Sequence, residues 1–393
     1  MSWPAFPLNQ LGTVSRGRSR HRPRDAEHLY GGPYPFVQTG DVKRAPLYLT
    51  EYSQTYSEAG LAQSKIWPKG TLCITIAANI AETAILDIEA CFPDSIIGFI
   101  ADPEKADTKF IKYLFDAVLK QKMTRVSQGA AQDNLSQGKL LSFEFPVPEV
   151  AEQKRIASIL STYDDLIENN RRRIALLEEA ARLLYREWFV HFRFPGHEHV
   201  KVVDGVPEGW NQTPLSELVT MVMGQSPKSE FYNTRGDGLP FHQGVTNYGF
   251  RFVTDTNYST KVTKLAEPED ILFSVRAPVG RINVTLNKMI LGRGLAAFRS
   301  KMGNQSFLLY QLKSHFFKED LIGGGAIYAA TNKKDLEKLE LLQPTDELVG
   351  AFEQISRPID DQIRVLSLQT DHLVNARDLL LPRLMDGRLE VAA

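Results

Sequence analysis

The sequence predicts an α+β protein made of one plan used twice. Two mixed α/β domains are expected, held apart by two long helices that pair as an antiparallel coiled coil about a pseudo-twofold axis. Two observations carry this reading. Short anchors recur in the same order in both halves of the 393-residue chain. Each half also ends in a long helical stretch with an apolar seam of heptad spacing.

The anchors run as follows. Pro7-Leu8-Asn9-Gln10-Leu11 is echoed by Pro214-Leu215-Ser216-Glu217-Leu218, an offset of 207. Pro35-Phe36-Val37-Gln38 is echoed by Pro240-Phe241-His242-Gln243, an offset of 205. Pro68-Lys69-Gly70-Thr71-Leu72 is echoed by Pro268-Glu269-Asp270-Ile271-Leu272 at 200, and Gly129-Ala130 by Gly325-Ala326 at 196. The offset shrinks steadily, as it would if a duplicated unit had lost loop residues in its second copy. Within each half, Leu72–Ile76 and Ile271–Val275 read as strands by alternation, with Gly, Pro and Asn marking turns. Helical stretches are expected near Lys109–Lys122 and Gln305–Lys318.

The long helices follow. From Pro148 to about Phe192 there is no internal Pro or Gly, and apolar residues recur at steps of three and four. The seam residues Ile156, Tyr163, Asn170, Leu177 and Leu184 match Phe352, Ile359, Leu366, Leu373 and Leu380 at a constant offset of 196. The two helices therefore present like faces. Asn170 is a lone polar seam residue of the kind that fixes register. Pro358 should kink the second helix or mark its start. The expected division is domain 1 at 1–147, helix 148–193, linker 194–206, domain 2 at 207–343, helix 344–385 and tail 386–393.

Composition bounds the function. Hydrophobic residues make up 43% and charged residues 24%, ordinary for a soluble protein. The net charge is −1, so an anionic partner would have to meet local patches rather than an overall field. Cys73 and Cys91 lie in apolar surroundings and read as buried free thiols. The start lacks signal-peptide character, and no apolar run reaches membrane-spanning length. A soluble, cytoplasmic protein without a membrane partner is expected.

Several segments resemble a known family. Gly224-Gln225-Ser226-Pro227, Gly238-Leu239-Pro240-Phe241-His242-Gln243-Gly244, Phe273-Ser274-Val275-Arg276-Ala277-Pro278-Val279-Gly280 and Gly292-Arg293-Gly294-Leu295-Ala296-Ala297 are similar to the second reader domain of type I restriction–modification specificity subunits. Cys91-Phe92-Pro93-Asp94-Ser95-Ile96-Ile97-Gly98 resembles another reader domain of that family. Glu152-Gln153-Lys154-Arg155-Ile156-Ala157 and Leu379-Leu380-Leu381-Pro382-Arg383-Leu384-Met385-Asp386-Gly387 are similar to its helical regions. The resemblance implies a non-catalytic chain with two target-recognition domains. Each would read one part of a split, asymmetric double-stranded DNA target across a spacer set by the helices. It also implies two modification (methyltransferase) subunits and two restriction (ATP-dependent translocase and nuclease) subunits as partners. S-adenosylmethionine, ATP and Mg would then belong to those partners, with no cofactor in this chain. Neighbouring genes, not this sequence, would tell whether a restriction subunit is present or the system only methylates.

Given that resemblance, Arg16, Arg18, Arg20, Arg22 and Arg24 suit contact with DNA phosphates or guanine edges. A solvated basic loop is the plainer reading. In the second half Lys228, Arg235 and Arg251 surround a Gly- and Asn-rich loop, where Gln243, Asn247 and Tyr248 could bond bases, though Gln243 and Asn247 could equally cap turns. Arg276 and Arg281 flank a tight loop for which a structural role serves as well. Arg171, Arg172 and Arg173 read as a solvated helix face.

Enzymatic signatures are sparse. An adenine methyltransferase needs an Asn/Asp-Pro-Pro-aromatic run, and an ATPase a Gly-x-x-x-x-Gly-Lys-Ser/Thr loop; neither occurs. Gly323-Gly324-Gly325 reads as a turn. Asp94 with Asp107 and Lys109 fits a loose pattern for a stand-alone Mg-dependent nuclease, kept as the alternative. His197-Glu198-His199 lacks a third ligand nearby, so no metal site is expected.

Overall fold

The computed structural model describes residues 3–119, 135–316 and 331–389. The chain forms two compact units. Unit 1 comprises Met1–Arg172 with Ser367–Ala393, and unit 2 comprises Arg173–Leu366. Each unit thus takes a mixed α/β domain and a part of both long helices. This differs from a domain grouped only with the helix that follows it.

In unit 1, strand β1 (Ala5–Pro7) pairs with β11 (Glu144–Pro146). A five-stranded sheet runs β2 (Gly12–Arg16), β10 (Ile96–Ala101), β7 (Leu72–Thr75), β8 (Thr83–Leu86), β4 (Tyr48–Leu49). A second sheet runs β5 (Gln54–Tyr56), β3 (Tyr30–Phe36), β9 (Ala90–Cys91), β6 (Ile66–Trp67).

In unit 2 a hairpin of β12 (Val202–Val203) and β13 (Val206–Pro207) starts within the expected linker and ends one residue past it. Phe194 of that segment is buried with Phe189 and Trp210. Strand β14 (Asn211–Pro214) pairs with β24 (Glu340–Gln343). One sheet runs β15 (Val219–Met223), β23 (Leu295–Ser300), β20 (Ile271–Ser274), β21 (Ile282–Val284). The other runs β16 (Tyr232–Asn233), β18 (Tyr258–Ser259), β17 (Leu239–His242), β22 (Met289–Leu291), β19 (Leu265–Ala266). The order β2-β10-β7-β8 thus parallels β15-β23-β20-β21, and β5-β3-β9-β6 parallels β18-β17-β22-β19. Both second sheets hold one parallel pairing, Phe36 with Cys91 and Phe241 with Ile290.

The central strands β7, β8 and β20 are buried along their whole length. Their alternation divides two cores rather than a core and solvent. Leu72, Ile74 and Ile85 face a cluster that includes Phe110, Ile111 and Leu114 of helix α1 (Thr108–Leu114). Cys73, Ala84 and Leu86 face Trp67 and Phe92. In unit 2 Ile271 and Phe273 pack toward Leu308 and Leu312 of helix α2 (Gln305–Phe316), while Leu272 joins Met289 and Leu291. Both thiols are free and buried, and burial pushes both above the ordinary cysteine value. The anchors Gly129-Ala130 and Gly325-Ala326, the Gly323–Gly325 turn and the ends of the two shorter predicted helices lie outside the described residues.

The long helices are α3 (Val150–Phe189) and α4 (Asp346–Met385), each of 40 residues. Helix α4 begins at Asp346, so Pro358 does not mark its start. Proline's missing N–H leaves one carbonyl of the preceding turn without its usual donor, yet the helix runs through it. In unit 1, Ile156, Ala157 and Leu160 cluster with Leu384 and Met385. In unit 2, Ile174 packs on Ile363 and Leu366, while Tyr185, Trp188 and Phe189 pack around Phe352. Within unit 2, rising numbers on α3 meet falling numbers on α4, so the two segments run antiparallel. Ile156, Asn170, Phe352 and Leu366 are buried; Tyr163, Leu177, Leu184, Ile359, Leu373 and Leu380 are half-buried. Two acids, Asp164 and Glu178, also fall on the buried face. No helix among the described residues is long and apolar enough to cross a membrane.

Candidate nucleic-acid interface

The same backbone device shapes the rim of each unit. Strand β2 is followed by Gly17, whose N–H bonds the Ile96 carbonyl at 2.8 Å while Arg18 N–H reaches Phe92 at 3.0 Å. Strand β15 is followed by Gly224, whose N–H bonds Leu295 at 2.9 Å while Gln225 N–H reaches Leu291 at 2.8 Å. A methyl at Gly17 would stand 2.3 Å from the Pro93 carbonyl oxygen, and one at Gly224 would stand 2.1 Å from that of Gly292. Only glycine lets the chain leave the sheet so close to the neighbouring loop. A second device also repeats. The Thr75 hydroxyl accepts from Glu82 N–H at 3.0 Å, and the Ser274 hydroxyl accepts from Arg281 N–H at 2.8 Å.

These bonds align the two rims position by position, and the charges then differ. Asp94 stands where unit 2 has Arg293. Ala77 is the counterpart of Arg276, and Glu82 that of Arg281. Unit 1 carries its positive charge on the segment after Gly17 instead.

That segment is anchored by its own arginines. Arg16 donates to the Asp94 carbonyl at 2.9 Å, and Arg18 grips the Ser64 carbonyl through two nitrogens. Arg20 and His21 N–H groups bond the Gln63 side chain. Arg22 donates to the Ser19 and His21 carbonyls at 2.9 and 2.8 Å. Arg24 forms a forked pair with the Asp94 carboxylate at 2.8 and 3.0 Å. Bonds to carbonyls leave the charge itself unneutralised, so Arg16, Arg18, Arg20 and Arg22 remain exposed cations. Lys65, which the sequence reading did not single out, is exposed beside Ser64.

In unit 2 the sequence candidates separate. Lys228 and Gln243 are exposed. Arg235 pairs with Asp237, its neighbour two residues on. The Asn247 amide donates to the Thr256 hydroxyl at 2.7 Å, a contact within its own loop. Tyr248 is half-buried, and its hydroxyl is buried without a hydrogen-bond partner among the described residues.

The reading of Arg251 as a base contact is corrected. Its side chain is 5% exposed and donates to Glu178 at 2.7 Å and to Asp360. Tyr310 donates to Asp360 at 2.9 Å, and Lys313 to Glu178 at 3.0 Å. Two carboxylates on the long helices thus receive an arginine and a lysine from the domain. A guanidinium so enclosed and so paired has no access left for a ligand. Burial alone would lower the arginine's proton affinity; Glu178 and Asp360 outweigh it and raise it. The same burial lowers Lys313, reinforced by Arg251.

Unit 1 carries a related joint. Tyr113 donates to Asp164, which also receives Arg377. Asp164 and Asp360 stand 196 apart, the helix offset itself. Burial first, then the Asp164 charge, raise the Tyr113 phenol, so it stays protonated and donating. Tyr113→Phe should cost about 1.5–3 kcal/mol, the usual worth of a hydrogen bond to a charged group. Thermal melts of the full chain would show it, and an unchanged midpoint would remove Tyr113 from the joint.

The three residues of the nuclease pattern each have a partner within the domain. Asp107 caps α1 by accepting from Phe110 N–H at 2.9 Å. Asp94 is paired with Arg24, and Lys109 lies against the Tyr48 ring. His197 contacts the Phe194 carbonyl. Among the described residues no group of three His, Cys, Asp or Glu could hold a metal ion.

Comparison with known proteins agrees with this architecture. The chain is 34% identical over 266 residues to the MjaX type I restriction enzyme specificity subunit of Methanocaldococcus jannaschii, covering 66% of this chain and 62% of that relative's length. It is 24% identical to the MjaIX specificity subunit of the same organism, over 99% of this chain and 94% of the other. Its fold is shared by the type I restriction–modification S subunit from M. genitalium, with a TM-score of 0.64 at 17% identity, covering 97% and 96% of the two chains. The family model for the type I restriction modification DNA specificity domain matches residues 2–179 and 207–348, so the chain belongs to that family of type I specificity subunits.

Proposed function

We propose that this chain gives a type I restriction–modification complex its DNA target. The domain at 1–147 reads one half-site and the domain at 207–343 the other. The observation that carries this reading is the pair of rims with one framework and different charges. Equal backbones with Asp94 against Arg293, and Ala77 against Arg276, suit two unlike half-sites. Phosphate contacts from Arg16, Arg18, Arg20, Arg22 and Lys228 would position the duplex, and Gln243 would face bases. Arg24, held by Asp94, is oriented for the same groove. Arg235, Asn247 and Tyr248 serve the loop that presents them.

In this reading the chain does no chemistry. Double-stranded DNA is its ligand, and modification and restriction subunits are its partners, bringing S-adenosylmethionine, ATP and Mg. Helices α3 and α4 pair as an antiparallel coiled coil through the seam from Ile156 to Leu184 and from Phe352 to Leu380, descended from one duplicated unit. They would set the spacer. Inserting four residues after Asn170, about one turn, is expected to change the preferred spacer or abolish methylation. Methylated-base sequencing of cells expressing the altered complex checks this, and an unchanged spacer would end the ruler role. Exchanging residues 1–147 for those of a relative should change one half-site and leave the other. If both half-sites stayed the same, the division of labour would be wrong.

A further inference from the structure

We infer that Arg293 is a specificity-determining residue of unit 2, taking the major-groove edge of a guanine. Arg276 and Gln243 line the same cleft. This rests on the DNA-reading function proposed above.

The cleft is lined by Gln243, Thr246, Ser274, Arg276, Arg293 and Gly294 and has a volume of about 340 Å³. It is built by close backbone approach. A methyl at Gly292 would stand 2.5 Å from the Gln243 Cα, and one at Gly294 would stand 2.3 Å from its carbonyl oxygen. Gly292 N–H bonds the His242 carbonyl at 2.8 Å, and Gly294 N–H bonds that of Gln243 at 3.1 Å. The two glycines pin the Gln243 backbone while the residue between them, Arg293, stays exposed. Its own N–H is fixed by the Ser226 hydroxyl at 3.1 Å. The base of the side chain is therefore anchored on both flanks.

The charge is free as well as placed. Four arginines of unit 2 are spent on carboxylates: Arg235 on Asp237, Arg251 on Glu178 and Asp360, Arg299 on Asp270, Arg357 on Glu269. No carboxylate pairs with Arg293 or Arg276 among the described residues. Two unneutralised guanidiniums and an exposed amide in one cleft match the chemistry of a base-pair edge beside a phosphate. Arginine offers a planar fork to guanine O6 and N7, and glutamine a donor and acceptor to adenine. In unit 1 the equivalent position is Asp94, which instead holds Arg24. The two half-sites should therefore differ at the base that this position addresses.

The test is methylated-base sequencing of cells in which the full complex carries wild-type chain, Arg293→Ala, Arg293→Gln or Lys288→Ala as a control outside the cleft. The wild type should return a two-part motif with a guanine in the half-site read by 207–343. Arg293→Ala should relax that position, with the preference for guanine falling roughly 10-fold or more. Arg293→Gln should shift it toward adenine. The first half-site and the control should not change. Should Arg293→Ala stop methylation everywhere, binding of the purified complex to duplexes carrying each base at that position replaces it. A ratio still favouring guanine over the other bases contradicts the inference. So does a second half-site without guanine, or one that Arg293→Ala leaves intact. A wild type with no two-part motif would instead refute the proposed function.

Discussion

Arg251→Met is expected to destabilise unit 2 by about 3–5 kcal/mol, because it strips one cation from two buried carboxylates. Glu178 would keep Lys313, but Asp360 would keep only the Tyr310 hydroxyl. Chemical denaturation of the full chain, followed in unit 2 by hydrogen exchange, measures the loss. A change under 1 kcal/mol would mean that water or rearranged side chains replace the guanidinium. The pair also sets an acid limit. Burial would raise the Glu178 carboxyl, but Arg251 and then Lys313 hold it below the ordinary value. A lowered folded value means the carboxylate stabilises the protein above the unfolded value, about pH 4.3. That stability is lost as pH falls through the lowered folded value. In Arg251→Met this part of the acid dependence should shrink.

Gly17→Ala and Gly224→Ala are the second pair of large effects. Each methyl would meet at least one backbone carbonyl oxygen at under 2.5 Å, and backbone cannot step aside as a flexible side chain can. A cost of about 3 kcal/mol is expected, the upper part of the range for overpacking. The damage should stay in one unit. Hydrogen exchange should quicken along β2 and β10 in the first variant, and along β15 and β23 in the second. Equal effects on both units from either variant would contradict independent rims.

The fold was legible because its signals are periodic. The heptad seam and the ordered anchors need only one-dimensional spacing, and they located both long helices and both central strands. Three features escaped for physical reasons. Arg251 lies in a Gly- and Asn-rich loop that reads as exposed, and its partners are 73 and 109 residues away. No local pattern announces such a pairing. Asp164 and Glu178 look like ordinary polar interruptions of a helix face until Tyr113, Arg377, Arg251 and Lys313 are brought to them. Arg293 was in plain view within Gly292-Arg293-Gly294. Its meaning depends on what the two glycines approach, and Gln243 is 50 residues earlier in the chain. The arginines from 16 to 24 were legible by density alone. Their anchoring to Ser19, Gln63, Ser64 and Asp94 was not.

The most direct test of the central claim is a map of methylated bases in a host carrying this chain with its modification subunit, repeated after exchange of residues 1–147. A two-part, asymmetric motif is expected, in which the exchange alters one part only. A single continuous motif, or an exchange that alters both parts together, would contradict it.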